Sequence, residues 1–160
     1  MKRFMAAVYR IDLTFHVISG LALAFMMVVT LLDVIMRNIG HPIVGSVEII
    51  SFCGSIVFGF AIPYASWKKA HVYVDLVVAK LSPRNKIILT VITRCMGIAL
   101  FVFIGSNFIG YGRDLLRTGE VSASFRLPYY PIAFGLSLSC FLQSINLFCD
   151  LVRTIEGADK

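Results

Sequence analysis

Four stretches of this chain are almost free of charge, and each is long enough to cross a bilayer. Leu13 to Leu32, Ile49 to Trp67 and Leu127 to Cys149 contain no Asp, Glu, Lys or Arg, and Ile87 to Gly112 carries a single charge, Arg94. A helix crossing a hydrocarbon core of about 30 Å needs about 20 predominantly apolar residues. Runs over 13–32, 49–67, 87–112 and 127–149 therefore predict four transmembrane helices, and an all-α integral membrane protein forming a single four-span domain over 1–160. Composition agrees, with 58% hydrophobic and 15% charged residues; a soluble domain carries about 25% charged residues. A net charge of +6 raises the question of nucleic acid. The basic residues, however, sit in short clusters between apolar runs and build no polar surface on which nucleic acid could lie.

Those clusters set an orientation. Ten of the fifteen basic residues (Lys2, Arg3, Arg10, Lys68, Lys69, Lys80, Arg84, Lys86, Arg153 and Lys160) fall on one side of a four-span layout, and four (Arg37, Arg113, Arg117 and Arg126) on the other. The excess of Lys and Arg marks the cytoplasmic side, so both termini are expected in the cytoplasm. Arg94 sits near the start of an over-long third run, where it can snorkel to the cytoplasmic interface and act as an anchor. The first run exceeds the 7–15 apolar residues or so of a signal peptide, and is expected to remain as a signal anchor.

Between the second and third runs, residues 68–82 read as an amphipathic helix lying in the cytoplasmic interface. Lys68, His71, Asp75 and Ser82 share one face, with Tyr73, Leu76, Val77 and Leu81 opposite. Trp67, Lys68 and Lys69 are placed as interfacial anchors at its start. A strand over Val72 to Val78 would have no partner at a membrane surface.

The runs themselves are poor in chemistry. Cys53, Cys95, Cys140 and Cys149 all lie in apolar segments without C-x-x-C spacing, which reads as buried small hydrophobes. Mid-span polar residues are few (Ser19, Ser55 and Asn107 among them), His16, Gln143 and Asn146 lie nearer span ends, and Asp12 and Asp33 flank the first run. Solute pathways require charged groups or broken helices at membrane depth; no catalytic, metal-binding, substrate-binding or cofactor residue is expected here. Small residues recur at helical spacing at Ser51, Ser55 and Gly59 in span two, Gly97 and Gly105 in span three, and Gly135 and Ser139 in span four, as suits close helix approach, either within the chain or against a partner. Asp33 and Arg37 are spaced for a helical ion pair, and Glu48 falls in the first turn of span two behind a Ser46 cap.

The order of several features resembles the small membrane subunit of tripartite ATP-independent periplasmic (TRAP) transporters. Arg37 follows span one, Pro42 comes next, and Ser46-x-Glu48 opens span two. Gly59 lies late in span two, His71 to Leu76 is similar to a His-x-x-Val-Asp-Leu segment, and Leu127-Pro-Tyr with Pro131 and Gly135 opens the last span. Gly45 stands where the family often has Trp, and Val47 where a second acid is common. The resemblance implies a non-catalytic scaffold subunit of a sodium-coupled transporter for organic acids of dicarboxylate or sialic-acid type. Its partners would be a large elevator subunit, a periplasmic substrate-binding protein and the lipid bilayer. It implies partner-subunit contacts through Asp33, Arg37, Glu48, Ser51, Ser55, Gly59, His71 and Asp75. Arg113, Arg117 and Arg126 become candidates for meeting an acidic patch on the binding protein, against the plain reading of solvated charges beside Asp114 and Glu120.

An autonomous four-span enzyme of the glutathione-using type is the alternative, but the chain lacks Arg, Asn and Glu along its helices to hold an anionic tripeptide. A haem protein would need paired histidines at depth, and His16, His41 and His71 lie near ends or in loops. A small multidrug exporter would need an acid inside span one.

Overall fold

The computed structural model describes residues 2–67 and 83–158. In it the uncharged runs lie within four helices: α1 (Lys2–Asn38), α2 (Ser46–Trp67), α3 (Pro83–Thr118) and α4 (Tyr130–Ala158). Each holds a segment long and apolar enough to cross a membrane, so the chain is a multi-pass membrane protein. Among the described residues the only strand-like pairing is an isolated bridge between Val121 and Pro128. The expected interfacial helix, with Lys68, Lys69, His71 and Asp75, lies outside the described residues.

Local chemistry sets the helix ends. Gly40, at φ 88°, ends α1: the His41 N–H reaches the Met36 carbonyl at 2.9 Å and the Gly40 N–H the Arg37 carbonyl at 3.2 Å. These bonds occupy carbonyls that the last turn leaves open, in a left-handed conformation that glycine adopts without strain. At the start of α2 the Gly45 carbonyl accepts the Glu48 and Ile49 N–H groups at 3.0 and 3.2 Å. Gly45 is therefore the cap, and Ser46, expected in that role, is the first helical residue and turns its hydroxyl to Asp33. α3 opens on Pro83, whose missing N–H costs nothing at that position.

α1 has 37 residues and α3 has 36; at 1.5 Å per residue each is roughly 55 Å long, well beyond the hydrocarbon thickness. No breaker follows the third apolar run until Gly119, so α3 continues through Arg113 and Arg117, which sit on its last turns instead of in a loop.

The four helices form a row, with α1 on α2, α2 on α4 and α4 on α3, while α1 barely reaches α4 and α2 and α3 stand either side of a groove. α4 is the centre: half of its membrane-spanning window is buried, against 6% for α3 and 11% for α2. It buries polar side chains beside its apolar Ala133, Leu142, Leu147 and Cys149. Ser137, Ser139, Gln143, Ser144 and Asn146 are buried, while Leu138, Ile145 and Phe148 are exposed. In hydrocarbon there is no drive to hide apolar groups, and polar groups seek one another.

Candidate functional site

One polar seam holds α4 to α2 and α1. Pro63 has no N–H, so the Gly59 carbonyl four residues earlier lacks its regular helical donor. The Ser139 hydroxyl of α4 donates to that carbonyl. Glycine at 59 admits α4 this closely, since a Cβ there would run into Leu136. One turn on, Gln143 donates to Ser66. Next, Asn146 donates from Nδ2 to Asp12 Oδ2 at 2.8 Å and to the Pro63 carbonyl at 3.2 Å, joining α1, α2 and α4. Asp12 does not merely flank the first span; it is fully buried. His16 stacks on Tyr64 at 4.2 Å just beyond it. Ser139, Gln143, Asn146 and Asp150 recur at helical spacing along α4, and the last of them pairs with Arg94 of α3 at 2.7 Å. The Arg94 charge is thus met by a carboxylate within the protein.

The small residues divide by use. Gly59 packs on Leu136, Gly97 on Leu147, Gly105 on Cys140 and Phe141, and Gly135 on Phe60. Ser51, Gly54 and Ser55, with Gly59 beside them, line an apolar groove of about 570 Å³ between α2 and α3, floored by α4 and walled by Phe58, Phe101 and Phe108. A Cβ on Gly54 would meet nothing within 4 Å. The Ser51 and Ser55 hydroxyls donate to the carbonyls four residues back, so they offer the groove little polarity.

At the other end of the bundle the two connecting segments are tied together. Arg37 donates to Asp33 Oδ2 at 2.8 Å, realising the i, i+4 pair, and Asp33 Oδ1 accepts the Ile43 N–H at 3.1 Å. Glu48 accepts the Ser124 N–H on both oxygens at 3.0 and 3.2 Å and the Phe125 N–H at 3.4 Å. The Phe125 ring lies where a side chain at 45 would project, 2.5 Å from a notional Cβ. The aromatic absent from position 45 is thus replaced by one from the α3–α4 connection. Phe52 stacks on Tyr129 at 5.1 Å beneath.

Arg113, Arg117 and Arg126 are exposed, and none makes an ion pair with a described residue. The proposed contacts His71 and Asp75 and the anchors Lys68 and Lys69 lie outside the described residues, and Trp67 is the last residue of α2. Asp12, Gln143, Asn146 and Asp150 are the interacting residues that sequence reading did not bring together, and Ser139, read as a small packing residue, is a hydrogen-bond donor as well. One signal for them was available: a proline at 63 implies a donor-deficient carbonyl at 59.

Four apolar helices whose internal polar groups bind one another define a polytopic protein with a self-contained core. The family profile for tripartite ATP-independent periplasmic transporters, DctQ component, matches residues 26–157. The match covers most of the chain, from within α1 to the end of α4, and the chain belongs to this family, a TRAP transporter small membrane component. No curated protein and no solved structure matches it.

Proposed function

We propose that this chain is the non-catalytic scaffold subunit of a sodium-coupled organic-acid transporter, of dicarboxylate or sialic-acid type, in a bacterial inner membrane with both termini cytoplasmic. It packs against the large elevator subunit and helps receive a periplasmic binding protein. The observation that carries the reading is the groove between α2 and α3. Ser51, Gly54 and Ser55 face it without being used in the chain's own packing, as a surface for a partner helix requires. Family membership supports a transporter component over the glutathione-type enzyme. Asp33, Arg37 and Glu48 contribute by shaping the outer surface, and Arg113, Arg117 and Arg126 offer it positive charge.

The test is co-expression of the tagged chain with the large subunit and co-purification in nanodiscs. A stable equimolar complex is expected; a well-behaved chain that ignores that subunit and assembles only with itself overturns the reading. Within the complex, H71A/D75A should weaken assembly, and reversing the charge of Arg113, Arg117 and Arg126 together should abolish binding-protein docking.

A further inference from the structure

The connection between α3 and α4 is short of secondary structure, yet its backbone is closely specified. The Ser122 N–H donates to the Leu127 carbonyl at 2.9 Å and the Arg126 N–H to the Ser122 carbonyl at 3.0 Å. The Leu127 N–H reaches the Ser122 hydroxyl oxygen at 3.3 Å. This turn leaves the consecutive N–H groups of Ser124 and Phe125 pointing the same way, the arrangement that forms an anion-binding concavity. The anion is Glu48, from the first turn of α2 and 76 residues earlier in the chain. Ser122, almost fully buried, also directs its hydroxyl at that carboxylate. Arg126 follows at φ 53°, the only residue other than glycine held at positive φ among the described residues. A non-glycine residue stays in that region only when its surroundings over-determine it.

We propose that Glu48 is a positioning residue: it clasps the α3–α4 connection onto the start of α2, so that both outer connections form one surface presenting Arg126 to an acidic protein partner. The partner half of this inference rests on the docking role proposed above; the clasp does not. Three features of the clasp are independent of one another: the carboxylate on two amides, the Phe125 ring against Gly45, and the left-handed Arg126. Glu48 also has a geometric advantage over other side chains at this place. A carboxylate supplies two acceptors for two adjacent donors, an amide only one, and an alkyl group none. The charge of Glu48 is accordingly engaged inside the chain and is not the group that meets the large subunit. Arg126 has no acidic partner among the described residues, and beside it Phe125 is 47% exposed. An exposed arginine next to an exposed aromatic is the composition that recurs at the centre of protein interfaces.

The clasp is read directly by hydrogen exchange on the full chain in nanodiscs, following the peptide that contains residues 122–127. E48A should raise the exchange rate of that peptide about tenfold or more, as expected for charge-assisted bonds, and E48Q should fall between E48A and the native chain. Peptides from α4 should be unchanged in both variants, which separates loss of the clasp from loss of the fold. Native-like exchange in E48A, or E48Q no better than E48A, overturns the proposal. Docking is then measured on the complex with the large subunit. If E48A weakens binding-protein affinity about tenfold and E48Q recovers part of it while co-purification holds, both halves stand. If E48A frees the peptide but leaves docking unchanged, the clasp stands and the docking reading fails. Loss of co-purification with native-like exchange would return Glu48 to a direct subunit contact and overturn the proposal.

Discussion

Ser139→Ala offers the sharpest check on the reasoning, because a second substitution should cancel its effect. In the native chain the Gly59 carbonyl has no regular donor in its own helix, Pro63 being where that donor would stand, and Ser139 supplies one from α4. Removing the hydroxyl leaves a carbonyl in hydrocarbon facing no donor. An unsatisfied backbone group at membrane depth costs several kcal/mol in principle. Measured interhelical hydrogen bonds in membrane proteins are nearer 0.6 kcal/mol on average and about 1.7 at most. Because this carbonyl lacks the helical bond that most such acceptors retain, the expected cost is near the top of that range, about 1.5 kcal/mol.

Pro63→Ala restores the N–H at position 63 and with it the regular bond to Gly59. In that background Ser139→Ala should cost no more than about 0.5 kcal/mol, a coupling of about 1 kcal/mol between two residues on different helices. Whatever Pro63→Ala does to the bend of α2 cancels in the cycle. The assay is reversible unfolding of the four variants in mixed micelles, followed by helical circular dichroism as the denaturing detergent fraction rises. Equal costs for Ser139→Ala in both backgrounds, to within about 0.3 kcal/mol, would refute the argument that proline created the need for the serine.

Two further outcomes follow from the same seam. Arg94 and Asp150 are each partly covered, with side-chain exposures of 15% and 30%; R94A and D150A should each destabilise by about 1–2 kcal/mol, and the double variant by less than their sum, in the same unfolding assay. Asp12 ties α1, which otherwise packs on α2 and barely reaches α4, to α4 through Asn146. D12A should cost about 1–3 kcal/mol and lower disulfide cross-linking between cysteines placed on α1 and α4, while D12N, which keeps an acceptor for the Asn146 amide, should retain most of both.

What was readable in the sequence is what lipid enforces locally. Apolar runs without charge fix the four helices because no other backbone arrangement of one segment satisfies itself in hydrocarbon. The Asp33–Arg37 pair is readable for a similar reason: helical spacing alone puts the two side chains together. Asp12 and Asn146 are 134 residues apart, and no local period announces that they meet. Arg94 was legible as a charge needing an outlet, and snorkelling is the outlet a single helix offers; the carboxylate of Asp150 exists only once α4 lies alongside α3. The small residues show the same divide. Spacing marked Ser51, Ser55 and Gly59 equally, yet only packing shows that Gly59, at the edge of the same groove, is also pressed on Leu136 of α4.

That packing bears on function. A helix that moves a polar solute must keep polar groups available at membrane depth, and α4, which holds half of the buried polar side chains among the described residues, turns them inward. Ser139 is directed at Gly59, Gln143 at Ser66, Asn146 at Asp12 and Asp150 at Arg94. The groove itself is lined mainly by phenylalanine, isoleucine, leucine and small residues, with the Ser51 and Ser55 hydroxyls folded onto their own helix and Ser139 and Gln143 at its floor already donating to α2. Such a face suits van der Waals contact with another apolar helix and offers a charged organic acid no cationic group. Polar chemistry directed inward and apolar surface directed outward are together what a scaffold subunit requires.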